Sequence, residues 1–426
     1  SIAAMIGGLG FAGAASAAVI TGGGTAAPNA ADIAATNGLM SSRTATGLAV
    51  SEGGVGHALV VPYYNAQNGN MTVIHLTNTD TVNGKLVKVR FRSAANSDDV
   101  LDFQVFMSPG DVWTSAVTAG ADGVATLTTA DNTCTVPHLA KGQAQAFVQT
   151  RLPSYADAAT KANLTREGYV EIFNMADITD VRAWTADGTA SATGTQRSPL
   201  YNAVKHVNGV APCSTLNTDA RTLVDDIATS ALTENEAAKR GLQTPTTGLM
   251  GDWYIINVPQ TTTFSGAATA IQATGAPNAR GTFVHFPRLS TAAVAVTADA
   301  NNLTADPLFR TTQVLTNANA TPTTVPALSL LNFDLPDMST PYFAAATAAT
   351  APLAQAQALA NALRVTSITN QYANDAGISA KTDWVFSMPT RRYNVAANYA
   401  AVTLQLTQQL ELVLLSTVTS LTSVRL

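Results

Sequence analysis

The sequence predicts a mainly β protein: an antiparallel β-sandwich, jelly-roll or immunoglobulin-like, with one or two short helical insertions and extended terminal segments. Three observations carry this expectation. Apolar residues recur at every second position through much of the chain, turn-forming clusters such as MSPGD, GADG and TADGT separate those runs, and only two stretches show helical spacing.

The alternating runs begin with GHALVVPYY at 56–64. MTVIHLTNTD and KLVKVRFRS follow, on either side of Val82-Asn83-Gly84. An Asn-Gly pair between two such runs predicts a β-hairpin. In its second strand Val87, Val89 and Phe91 face one way and Lys88, Arg90 and Arg92 the other. VLDFQVFMS, QAFVQTRL, GYVEIFNM, DWYIINV, TFVHFPRL and DWVFSM read as further strands. A helix is predicted over 217–240, with Leu223, Ile227 and Leu232 near helical spacing and Gly241 as its terminator. A second spans 352–364, where Pro352 suits a first helical turn.

Three regions are expected. Residues 1–50 hold an apolar run, SIAAMIGGLGFAGAASAAV, and the Gly/Ala-rich stretch TGGGTAAPNAADIAATNG, which has the composition of a linker. The run has the apolar core and small-residue end of a secretory signal. Residues 51–400 form the sandwich body, as one sandwich or two packed together. Residues 401–426 read as one long strand, with Val402, Leu404, Leu406, Leu410, Leu412 and Leu414 at alternate positions and no internal turn signal.

Composition narrows the function classes. Charged residues are only 12% of the chain and the net charge is −5, so no basic stripe is present to neutralise the phosphates of a nucleic acid. After residue 20 no stretch is long and apolar enough to span a bilayer as a helix. The two cysteines, Cys134 and Cys213, have neither zinc-site nor haem-attachment spacing. In an exported chain an even count suggests one disulfide, worth roughly 4 kcal/mol for a loop of that size, with two buried thiols as the alternative.

Catalytic patterns are missing. No HExxH, GxSxG, Walker or strand-linked GxGxxG sequence occurs, and four of the five histidines (His57, His75, His206 and His285, but not His138) lie in apolar strand-like runs. The acidic groups Asp98, Asp99 and Asp102, Asp225 and Asp226, and Asp334 and Asp337 could supply hard oxygen ligands, but match no calcium loop and read as solvated turn and cap carboxylates. No enzyme, no cofactor and no metal site is expected.

The blocks GHALVVPYYNAQNGNMTVIHLTNT, VKVRFRSAANSDDVLDFQVFMSPGDVWTSAV, DNTCTVP, REGYVEIFNMADI, APCSTL, GLMGDWYIINV, NFDLPDMSTP and TDWVFSMPTRRYNV span residues 56 to about 395. They resemble a family of bacterial exported proteins known as cell surface proteins. The resemblance implies an envelope-associated, β-rich protein with both cysteines present, and it carries no catalytic residues.

The expected function is that of a structural subunit of an extracellular filament, at the bacterial cell surface, whose partner is itself. A terminal segment of one copy would add as a strand to the sheet of the next, a head-to-tail contact that need not close. Ile2, Met5, Ile6, Leu9, Phe11, Val19 and Ile20 are the leading donor residues, and Leu404, Leu406, Leu410, Leu412 and Leu414 the second set. The alternatives are a monomeric adhesive domain, then a secreted hydrolase with a dispersed site.

Overall fold

In this computed structural model the described residues are 18–95, 97–149, 152, 156–230, 232–285, 342–343, 351–367, 374–377, 384–387, 389, 395–398 and 403–406. They form an antiparallel β-sandwich with short helices. The larger sheet runs β2 (Gly47–Val50), β15 (Thr269–Thr274), β3 (Ala58–Asn65), β11 (Glu167–Ile178), β5 (Gly84–Ser93), β6 (Asp99–Met107) and β9 (Cys134–Val136), with β12 (Leu242–Gln243) against β11. The smaller runs β10 (Gln145–Ala146), β8 (Ala125–Thr129), β7 (Val112–Ala119), β4 (Asn70–Asn78), β13 (Leu249–Asn257) and β14 (Thr262–Ala267). Apart from these, β1 (Ala18–Ile20) pairs with β16 (Phe283–His285), and Val395–Asn398 pairs with Thr403–Leu406.

The period-two pattern produces the core. Leu59, Val61, Val87, Val89, Phe91 and Phe103 point inward from the larger sheet and meet Ile74, Leu76, Trp113, Val117 and Leu127 from the smaller one. The smaller sheet keeps the other half of each alternation on its outer face, as in the buried and half-buried sequence along β8.

The larger sheet has no such wet face along β5. Helices α3 (Pro199–Val204), α4 (Asp219–Thr229) and α5 (Glu234–Lys239) put Leu200, Val224, Ile227 and Ala238 against Leu86, Phe106 and Met175. Further along, Tyr342 and Leu359 pack on Val60, Phe173 and Ile271. Leu359 belongs to a third-turn position of the helix Ala351–Leu363, which matches the expected 352–364. The two remaining helices are α1 (Ala30–Ala34) and α2 (Ala158–Thr165), so Ala351–Leu363 is α6.

Burial of both faces makes the charges of β5 the principal surprise of the fold. All ten residues of β5 are buried. Lys85 pairs with Asp177 at 2.7 Å, Lys88 with Asp102, Arg90 with Asp99, and Arg92 with Glu171 at 3.0 Å. Each base sits on a strand flanked by the acids of β6 and β11. Thus Asp99 and Asp102, read from sequence as solvated carboxylates, are partners of buried cations, and Asp98 is buried as well.

Five other local expectations are corrected. The Asn-Gly hairpin does not form: β4 and β5 lie in different sheets. Asp80 Oδ1 instead accepts from the N–H groups of Val82 and Asn83, and neither Asn83 nor Gly84 has the positive φ of a type I′ turn. Gly84 serves close packing, because a Cβ there would meet Met107 O at 2.7 Å. The Gly/Ala-rich stretch at 21–38 is held on the body: Asn29 caps α1, Ile33 is fully buried, and Glu234 Oε1 accepts from the N–H groups of Gly23 and Met40. The helix expected over 217–240 is two helices, since Thr233 and Glu236 form a capping box that starts α5. QAFVQTRL supplies only the two-residue β10, and Trp384–Ser387 is outside any strand.

Candidate functional site

The sheet edges are where this fold can engage another chain, because an edge strand presents main-chain N–H and C=O groups to a newcomer. Among the described residues the two sheets of the sandwich have four outer edges, and three of them are blunted. At β9 the strand has three residues, Arg221 of α4 donates to Thr135 O at 2.8 Å, and Cys134 is bonded to Cys213. At β2 the helix α6 packs alongside, with Leu48 and Leu363 on the same apolar cluster. At β10 the strand has two residues.

The fourth edge, β14, is different. Its six residues pair with β13 from Asp252↔Ala267 to Asn257↔Thr262, and no described strand pairs with its other side. Thr263, Phe264 and Ser265 are exposed in succession, so neither face of the strand is covered there. Phe264 lies opposite Ile255 and is 59% exposed, and Val258, in the connecting turn, is 73% exposed. Ile255 itself is buried and Trp253 half-buried on the same side of β13. The edge therefore offers backbone that no described strand pairs with, together with an apolar overhang.

The donor residues expected from sequence fall unevenly. Ile2, Met5, Ile6, Leu9, Phe11, Leu410, Leu412 and Leu414 lie outside the described residues. Val19 and Ile20 are in β1, opposite Val284 and Phe283 of the same chain, with Ile20 packed on the helical cluster. Leu404 and Leu406 are in the strand Thr403–Leu406, opposite Ala397 and Val395. Cys134 and Cys213 form the expected disulfide across a separation of 79 residues.

A polar cluster that the sequence did not reveal lines a cavity of about 420 Å³ between the turn at Ser108–Asp111 and the loop after α3. Ser108 Oγ lies 2.8 Å from His206 Nδ1, and Asp111 Oδ2 lies 3.6 Å from the same nitrogen. Burial pushes the Asp111 carboxyl up, against the pull of His206. A serine-histidine-aspartate relay needs the serine and the acid on opposite ring nitrogens. Here both meet Nδ1, and Ser108 is 4% exposed, so the cluster ties a turn to a loop rather than presenting a nucleophile. Among the described residues no group of three His, Cys, Asp or Glu side chains could hold a metal ion, and no helix is long and apolar enough to cross a membrane.

Comparison with known proteins gives no match: no family model, no curated protein and no solved structure is similar to this chain.

Proposed function

We propose that this protein is the structural subunit of an extracellular filament, in which an extended terminal segment of one copy adds as a strand to the β14 edge of the next. The observation that carries the reading is the asymmetry of the edges: three are shortened, bonded or covered, and the fourth keeps six residues with an exposed Phe264. Strand addition would satisfy the outward backbone groups of β14 and cover Phe264, with alternate donor side chains setting register. The contact joins two different surfaces of the subunit, so it propagates. The disulfide fits an oxidising compartment outside the cytoplasm.

The N-terminal apolar run is the donor in this proposal. Its last residues, Ala18–Ile20, already have strand geometry in their pairing with β16, and they would give up that pairing for the β14 edge of the next copy. Residues 21–46 are part of the body, with Ile33, Met40 and Ala45 buried, so a donor deletion must spare them.

A monomeric binding domain is the second reading, favoured by the exposed side chains of Trp384, Val385 and Phe386. Negative-stain electron microscopy separates the two, comparing the native protein with a chain starting at Thr21. Fibres from the native protein and discrete particles from the shortened chain are expected. Particles from both would remove the filament reading, and fibres from both would remove the N-terminal donor.

A further inference from the structure

The end of the larger sheet holds a lysine, an asparagine and an aspartate in one dry place. Lys85, Asn174 and Asp177 are 0%, 0% and 1% exposed. Asp177 Oδ1 accepts from Lys85 Nζ at 2.7 Å and from Asn174 Nδ2 at 3.0 Å, so the amine and the amide are no farther apart than two hydrogen bonds. Both also touch Thr246, Lys85 Nζ through the hydroxyl at 2.9 Å and Asn174 Nδ2 through the carbonyl at 2.9 Å. Lys85 Nζ further donates to Thr247 O at 3.2 Å and lies 3.3 Å from Asp80 Oδ2.

This meeting is not what a regular strand allows. Asn174 and Asp177 are three residues apart on β11 and would face opposite sides. A bulge between Asn174 and Ala176 adds the residue that turns both side chains toward Lys85. The surroundings fix the asparagine further: its N–H donates to His57 O at 2.8 Å, and Tyr342 Oη donates to its carbonyl at 3.1 Å. Its side-chain Oδ1 is buried with no hydrogen-bond partner among the described residues. Gly248 leaves room for the lysine, since a Cβ there would lie 3.0 Å from Lys85 Cε.

The geometry points to an intramolecular isopeptide bond between Lys85 Nζ and Asn174 Cγ, with Asp177 carrying the proton and ammonia as the leaving group. Asp177 first takes a proton from the Lys85 ammonium, leaving a neutral amine. The amine attacks Asn174 Cγ, the Nζ–Cγ bond forms, and the Cγ–Nδ2 bond breaks as proton transfer through Asp177 converts the amide nitrogen to ammonia. No electron is gained or lost, and no co-reactant is needed. Burial pushes the Asp177 carboxyl up, but the Lys85 and Arg280 charges outweigh this and hold it below the usual range, so it begins as the base.

The bond would join β5 to β11, the two central strands of the larger sheet, and it does not depend on filament assembly. The test is the intact mass of the native protein after disulfide reduction, followed by peptide mapping. The expected result is a chain lighter than its sequence by one ammonia, with a branched peptide joining the segments around Lys85 and Asn174. A mass equal to that of the sequence overturns the inference. So does the lighter mass with those two segments recovered as separate linear peptides, which marks a succinimide. The Asp177→Asn variant, if it folds, should regain the full mass.

Discussion

Arg92 and Glu171 meet side by side on adjacent strands, with Arg92 Nε and Nη2 both on Glu171 Oε2 at 3.1 and 3.0 Å and both side chains fully buried. Two charges removed from water are tolerable only as a pair, because either alone keeps the desolvation cost without the attraction.

Arg92→Met alone should therefore destabilise the fold by about 3–5 kcal/mol, and the double change Arg92→Met with Glu171→Leu should recover much of that loss. Urea midpoints of the two variants measure the difference. A single variant within about 1 kcal/mol of the native protein would mean that water reaches this pair.

The disulfide should matter on a similar scale. Cys134 and Cys213 enclose 79 residues of separation, and replacing both by Ala should cost about 4 kcal/mol in the chain-entropy picture. Thermal melts in the presence and absence of a reductant check this, and no shift on reduction would contradict it.

Acid should weaken the protein well above the carboxylate range. His57 is fully buried, with Nδ1 accepting from Ala273 N at 3.1 Å and Nε2 3.0 Å from Ala279 O. Burial, with help from Lys85, pushes its pKa down from 6.5 to about 4. The folded state thus stays neutral at His57 where the unfolded chain takes up a proton. Stability is present above pH 6.5 and falls as the pH drops toward 4, by about 3 kcal/mol for this residue alone. His285, lowered to about 3 by burial and by the Lys88 and Arg240 charges, acts in the same direction. Chemical denaturation across that window should show the slope, and His57→Gln should flatten it.

Phe264→Lys separates assembly from folding. The side chain is exposed, so stability should change by no more than about 0.5 kcal/mol. A charge on the β14 edge should nevertheless abolish fibres, as edge lysines do in sheets that stay single. Fibres from this variant would place the contact elsewhere.

Period two in the sequence was enough to read β3, β4, β6, β11 and β13 and the sandwich they build. It failed where a distant segment decides. The lysines and arginines of β5 alternate with valine as a solvated strand would, and only the acids of β6 and β11 and the cover from α3 to α5 make them internal. The Asn-Gly signal at 83–84 is local, whereas β4 matches β13 over all nine of its residues, a pairing across more than half of the described body. Glycine and alanine at 21–38 look like a linker until Glu234 is brought to Gly23 and Met40. The β14 edge was invisible because TTFSGA has no alternation, and Ser108 meets His206 across 98 residues of chain.

The placement of β4 against β13 and of β3 between β11 and β15 has a consequence for the order of events during synthesis. The first half of the body supplies strands that the second half must complete. The smaller sheet cannot close before residue 267 has left the ribosome, nor the larger before residue 274, and until then the apolar faces of β3 to β6 have no permanent cover. Such long-range pairing is slow and leaves the nascent chain prone to sticking. A chain stopped at Ile178 should accordingly be protease-sensitive and bound by chaperones, whereas one that runs through β16 should yield a resistant core.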